Sequence, residues 1–418
     1  MENKQDKIKM GIGFVTGRSN VCTIINSYYK NILEQIKKTK YNVEVTFFIL
    51  YDTTYQGTKE EEFYKIKKDV FNEFKIIYIS PEDRENEKKK LTEEKILTNK
   101  EAELFFGNGH AKGRNTILYF ALKKGMDYLL FWDDDEYPVA CIKENDNIVW
   151  KKQDNVIKHI EEMEEKNADV TIGYHCGYIS PIPYLNVSDD IEEENIQDFI
   201  EAISNELVSY KSIKEKFEKD RGVTYADKTL ASGKGDFEIT GENKFVAGST
   251  LCLNLKHLDK IPAFYNPPQA RGEDTFFSMN LTNSKVIKVP VYHFHDGFLK
   301  YKCIMKEDYP KEFKLIKASD KTIEKRFFKA CQGWIKYKPL LLYLLNRDNY
   351  DYEIRKVKVK LKRSIRRIDY LFDDSNFKRL TDDLEEYSSK VKEHYNDFIR
   401  VNEIWKEIKD NKEKIRSL

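Results

Sequence analysis

Residues 129–138 read Leu-Leu-Phe-Trp-Asp-Asp-Asp-Glu-Tyr-Pro, an apolar run that stops on four consecutive carboxylates, Asp133 to Glu136. A strand buried in a parallel sheet reads as a short hydrophobic run, and ligands of open α/β sheets sit just beyond the carboxyl ends of such strands. Carboxylates crowded there repel one another, and a divalent cation is the simplest means of keeping them ionised together. Oxygen-only ligands favour Mg2+ or Mn2+ over Zn2+.

Other segments carry residues that could act with this row. Lys112-Gly113-Arg114-Asn115 lies just upstream and is expected to open a helix, where free amides and a cation suit an anionic ligand. Gly272-Glu273-Asp274-Thr275 brings two more acids, after Phe245-Val246-Ala247-Gly248-Ser249 and the Pro267-Pro268 turn. His293-Phe294-His295-Asp296-Gly297 follows a strand, and alternation puts both histidines on one face, so only one need reach a metal. Thr16-Gly17-Arg18 and Asp52 stand at the ends of the first two strands. Each has a plainer reading: a solvated acidic turn, a capped helix start, a core histidine, ordinary turn residues.

The elements that must position these residues alternate. Strands are expected at 8–16, 43–51, 75–79, up to Asp133, and at 170–174, 245–255 and 286–292, with helices at about 20–38 and 113–124. Such alternation predicts an α/β sheet, mostly parallel, with right-handed crossovers. Segment 81–103 is strongly charged and is expected at the surface. Segment 186–244 is a long insertion with a helical middle, Ile191 to Phe217, of the kind that forms lids or acceptor-binding loops. Beyond about residue 310 the sequence is charged, glycine-poor and helical in period, which divides the chain into 1–309 and a helical region 310–418.

Taken together, Asp133-Asp134-Asp135, Gly113-Arg114-Asn115, Gly272-Glu273-Asp274 and the late histidines resemble the motifs of a nucleotide-sugar glycosyltransferase of the GT-A fold, closest to family 2, over roughly residues 8–300. The first of these is similar to the family's D-x-D motif. The resemblance implies Asp135 as prime ligand of Mn2+ or Mg2+, Asp133 as its helper, and His293 or His295 completing the metal site. It places Thr16, Gly17, Arg18, Asp52, Arg114, Asp133 and Asp134 about the nucleotide, and Gly248 and Ser249 on the acceptor side. It makes Asp274 the base, with Glu273 the fallback, and leaves Glu136 peripheral. The implied reaction moves a sugar, with inversion, from a nucleoside diphosphate, most often of uridine, to a hydroxyl on a glycan, a lipid-linked intermediate or a protein. Bacterial cell-surface glycan assembly is the implied setting. Where members often show two acids and a glycine-serine turn, this chain has Tyr51-Asp52-Thr53-Thr54.

The nearest alternative is a retaining enzyme of the same fold. A sugar nucleotidyltransferase would want a glycine-rich phosphate loop, yet Gly11-Ile12-Gly13 lies inside a strand, which also argues against a dinucleotide-binding domain. A glycosidase needs two carboxylates but not a row at one strand end. A non-catalytic glycan-binding protein would keep the fold without needing Asp274.

Composition narrows the partners. The chain has 418 residues, 34% of them charged, with a net charge of +1, so no overall field draws it to nucleic acid. Six cysteines without C-x-x-C spacing fit reduced thiols in a cytosol. No signal-like stretch opens the chain and no later run reaches membrane-spanning length, so a cytoplasmic protein is expected. From Lys321 to Tyr370 there are fifteen Lys or Arg against five Asp or Glu, eight of the basics within Arg355–Arg367. Val357, Leu361, Ile365, Ile368 and Phe372 recur there at helical spacing. Such a helix can lie on the anionic inner face of a cell membrane through 355–372, or pack on the catalytic part or on a second subunit of a homo-oligomer.

Overall fold

The computed structural model describes residues 7–179, 181–185, 187, 190–204, 209–241, 244–372 and 375–418. The first six residues, and parts of the 186–244 insertion, lie outside the described residues.

Twelve strands form among them: β1 (Ile8–Thr16), β2 (Val43–Tyr51), β3 (Lys75–Ile79), β4 (Tyr128–Phe131), β5 (Glu136–Tyr137), β6 (Val139–Glu144), β7 (Asn147–Lys152), β8 (Val170–Tyr178), β9 (Val223–Thr224), β10 (Phe237–Ile239), β11 (Leu251–Asn254) and β12 (Val286–His295). The main sheet runs β10-β12-β8-β11-β4-β1-β2-β3, with β5 added beside β12 and β9 beside β8; β6 and β7 form a separate hairpin. β3, β2, β1 and β4 are parallel, and β12 is parallel to β8. β11 runs antiparallel between β4 and β8. The chain is thus mixed α/β with a mostly parallel sheet. The 245–255 strand contracts to β11, the 170–174 strand extends to Tyr178, and the β6–β7 hairpin was not foreseen.

Strands covered on both faces need apolar residues at successive positions, and β1 and β4 supply them. Met10, Ile12, Phe14 and Leu130 enter one core, while Leu129 and Phe131 enter the other with Ile117, Phe264 and Phe277. The second core is roofed by the His110–Lys123 helix, and two glycines set how near it lies. A Cβ on Gly13 would fall 2.7 Å from Ile117 Cγ2, and one on Gly113 would fall 2.5 Å from Val15 Cγ1. Gly13 therefore serves helix–strand contact. This helix begins at His110, not Gly113, so Arg114 and Asn115 sit a full turn inside it and are buried. Asn115 clasps the backbone of Phe264 through both amide atoms, at 2.8 Å each.

The C-terminal helices complete both cores. The Val391–Asp410 helix buries Phe398, Val401, Ile404, Trp405 and Ile408, and Trp405 Nε1 donates to the Ile261 carbonyl at 2.9 Å. The Tyr350–Phe372 helix turns Val357, Leu361, Ile365, Ile368 and Phe372 inward, into a cluster with Ile196, Phe199, Ile200 and Ile203 of the Asp190–Ile203 helix. Its charge is met there as well. Arg367 pairs with Glu192 at 2.6 Å, Arg363 Nε with Asp198 at 2.5 Å, and Lys360 with Glu201. The acidic insertion and the basic helix are complementary faces of one contact, so the apolar stripe that would enter a membrane is already covered. Among the described residues no helix is long and apolar enough to cross a membrane.

Candidate active site

β1, β4 and β12 end on one rim of the sheet, and a sharp turn distributes the four acids there. Trp132, 1% exposed, packs on Phe14 and His293 at ring separations of 5.5 and 5.2 Å, and its Nε1 donates to the Glu136 carbonyl at 2.9 Å. The Glu136 amide donates to the Asp133 carbonyl at 3.3 Å, and the chain returns as β5 with Glu136 opposite His295. Consecutive carboxylates thereby point to different partners.

Asp133 lies toward the His110–Lys123 helix, where Arg114 Nη2 reaches its Oδ1 at 3.3 Å. Its side chain keeps 41% exposure at the mouth, yet the surrounding protein, opposed by Arg114 and abetted by the neighbouring acids, pushes its pKa up to about 7. Asp134 is gripped by Arg18, with Nε at 3.1 Å and Nη2 closer still, and accepts from the Thr16 hydroxyl. Its backbone carbonyl accepts from Asn20. Asp135 Oδ2 receives two guanidinium groups, Arg18 at 3.1 Å and Arg326 at 3.4 Å. Burial would raise the Asp135 pKa, but Arg18, His295 and Arg326 hold it below the usual carboxylate value.

Glu136 is the hub beneath the row. It accepts from Ser249 Oγ at 2.6 Å, and it meets His175 Nε2 at 3.2 Å and His293 Nδ1 at 3.3 Å. Burial works against its ionisation, yet the two imidazoles hold its pKa well below the ordinary value, and that of His175 is raised in return. Glu136 is therefore not peripheral, as the sequence reading had it.

Facing the row across Arg114 are Glu273 and Asp274, at the start of the short Glu273–Ser278 helix. Glu273 Oε1 meets Arg114 Nε at 3.4 Å, and His110 and Arg114 lower its pKa against the effect of burial. Among the described residues Asp274 receives only backbone amides, Gly248 N–H at 3.3 Å and Thr275 N–H at 2.9 Å. Burial, then the adjacent Glu273 charge, push its pKa up to about 6. Gly248 leaves room for Arg114 where it lies, since a Cβ there would fall 2.7 Å from Arg114 Nη2.

The fold thus brings together Thr16, Arg18, Arg114, Asp133, Asp134, Asp135, Gly248, Ser249, Glu273, Asp274 and His293. Gly17 borders them, with Tyr55 packed over it and its carbonyl accepting from Thr58 Oγ1 at 2.7 Å. Asp52 sits on the neighbouring turn, its Oδ1 accepting from Thr54 N–H at 2.8 Å and Oγ1 at 2.6 Å. His295 ends β12, near enough to Asp135 to favour that carboxylate's charge.

In this arrangement the donor set does not fit the divalent cation that the D-x-D resemblance implies. Asp134 gives both oxygens to Arg18, and Asp135 Oδ2 is shared by two arginines. His293, 1% exposed, has Nδ1 against Glu136 and Nε2 against Asn155 at 3.2 Å, so neither ring nitrogen is open. Among the described residues no three His, Cys, Asp or Glu side chains are placed to hold a metal ion together.

Sequence reading missed His175, Asn20, Asn155 and Arg326. His175 lies just past the expected end of its strand, a signal that a longer strand could have exposed. Nothing in Lys325-Arg326-Phe327-Phe328-Lys329 marks Arg326 apart from its neighbours.

No family model matches the chain, and no curated protein matches it. Similar solved structures include a galactosyltransferase, LgtC, in complex with donor and acceptor sugar analogs, 12% identical, with a TM-score of 0.25 over 66% of this chain and 67% of that one. Mouse xyloside xylosyltransferase 1, in its apo form, is another, 10% identical, with a TM-score of 0.24 over 66% of this chain and 73% of that one.

Proposed function

We propose that the chain is a glycosyltransferase of GT-A type that moves a sugar from a nucleoside diphosphate to an acceptor hydroxyl, with residues 1–309 as its catalytic part. One observation carries this reading. Asp274, a partly exposed carboxylate whose hydrogen bonds among the described residues come from backbone amides and not from a cation, stands across Arg114 from a rim lined by arginines. A base with an acid constant near 6 faces a place suited to an anionic leaving group, which is the pairing that group transfer between an alcohol and a phosphate ester needs.

In the proposed reaction Asp274 takes the proton of the acceptor hydroxyl as its oxygen bonds to the anomeric carbon. The bond from that carbon to the diphosphate oxygen breaks, and its electron pair leaves on the diphosphate. Attack from the side opposite the leaving group inverts the anomeric centre. Thr16, Gly17, Arg18 and Asp52 border the nucleotide, and Gly248 and Ser249 border the acceptor. Glu273 fixes Arg114 and is thereby occupied, which favours Asp274 as the base.

The test is to incubate the full chain with UDP-, GDP- and dTDP-sugars and an acceptor panel, and to read nucleoside diphosphate release and the anomeric configuration of the product. Release abolished in Asp274→Asn, with an inverted product, supports the reading. Inertness toward every donor, with no nucleoside diphosphate bound, would sink it.

A further inference from the structure

Arg326 is an under-used cation at the rim. It rises from the Lys321–Leu345 helix, and among the described residues its one hydrogen bond is the 3.4 Å contact with Asp135. A guanidinium offers five donors in a rigid fork, so most of its capacity is unspent although only 32% of the side chain is exposed. Arg18 meets the same carboxylate oxygen at 3.1 Å. Arg271 lies close enough to oppose the Arg326 charge, and packs its own guanidinium over the Trp334 ring at 5.9 Å. Cations drawn together at the rim, Arg326 half-buried and Arg271 exposed, with those two keeping donors to spare, form a ready seat for an anion.

We infer that Arg326, with Arg18 and Arg271 beside it, grips the diphosphate of the donor, so that guanidinium groups and not a divalent cation meet the charge of the leaving group. The inference rests on the glycosyl-transfer reading and narrows it. A metal entering at Asp134 and Asp135 would have to strip Arg18 from two carboxylates and Arg326 from one. A diphosphate has only to draw Arg326 from a contact at the outer limit of hydrogen bonding, and its oxygens match the fork of an arginine side by side. The bond between the anomeric carbon and the diphosphate oxygen then breaks toward donors already in place. The C-terminal helices, on this view, supply part of the donor site.

The experiment is calorimetric titration of the full chain with UDP, GDP and dTDP, once in EDTA and once in MnCl2, for the native protein, Arg326→Gln and Arg326→Lys. At least one nucleoside diphosphate is expected to bind in EDTA about as tightly as in Mn2+. Arg326→Gln is expected to weaken it roughly tenfold or more in both buffers, the usual effect of losing a charge-assisted hydrogen bond, with Arg326→Lys recovering part of the loss. Binding only when Mn2+ is present, or undiminished binding by Arg326→Gln, overturns the inference while leaving glycosyl transfer standing. Failure of every nucleoside diphosphate in both buffers removes the transfer reading and the inference with it. Should Arg326→Gln fail to fold by circular dichroism, the comparison of buffers on the native chain decides alone.

Discussion

Burial and the adjacent Glu273 charge leave Asp274 basic, while two amide hydrogen bonds and the Arg114 charge offset them only in part and the amides fix its carboxylate. A general base must be ionised, so transfer is expected to fall as pH drops through about 6 and to level off above it. A profile of kcat/KM against pH locates the limb. Asp274→Asn should slow transfer by ~10²–10⁴-fold with the melting temperature little changed; an unslowed variant would remove Asp274 from the chemistry. Glu136 belongs to another class. Removing one member of a buried charged group leaves the rest unpaired at a cost of roughly 3–5 kcal/mol, so Glu136→Ala should lower stability by about that much in urea. A change within ~0.5 kcal/mol would mean that Glu136 is in effect a surface residue.

At the scale of elements, the site depends on how closely three pieces approach: the loop before β11, the His110–Lys123 helix and the Glu273–Ser278 helix. Gly248→Ala places a methyl group 2.7 Å from Arg114 Nη2 and 3.3 Å from Glu273 Oε1, so Arg114 must shift. Misplacement on the order of 1 Å can cost ~10²-fold in rate, and steady-state kinetics beside a thermal melt should show activity falling far more than stability. A melt that drops as steeply as the rate would point to general misfolding. The strands were legible in the sequence because a doubly covered strand reads as a near-continuous apolar run, as in Phe47 to Tyr51 of β2. The direction of β11 was not, since the same residues pair in either sense. Nor could four adjacent acids be ranked, because their roles are assigned by the turn that Trp132 anchors. Asp274 and Arg114 are set in recognisable company in the sequence, and the fold brings them near one another; Arg326 sits in a charged helix whose pattern only tertiary packing resolves.

For the whole molecule, the helices beyond 310 bear on both cores and on the rim. Phe398 and Trp405 lie against Tyr265, Phe276 and Phe105, so a chain ended at residue 309 would bare those aromatic faces. Such a chain is expected to aggregate or to lose its cooperative melt by circular dichroism; a sharp, soluble transition like that of the full chain would show that 1–309 folds alone. The inward stripe of the Tyr350–Phe372 helix leads to a companion expectation: at physiological salt the full chain should not sediment with phosphatidylserine vesicles, and sedimentation would mean that the helix can leave its seat.

The contacts that make the rim join residues far apart along the chain: 118 positions separate Thr16 from Asp134, 159 separate Arg114 from Glu273, and 191 separate Asp135 from Arg326. Closing loops of that length is slow and comes late in folding. During synthesis the acids emerge long before Asp274 and Arg326, so a half-made chain has neither Asp274 in place nor its arginines gathered. In refolding, nucleotide binding should accordingly lag behind the return of helix signal, making competence the last property the chain acquires.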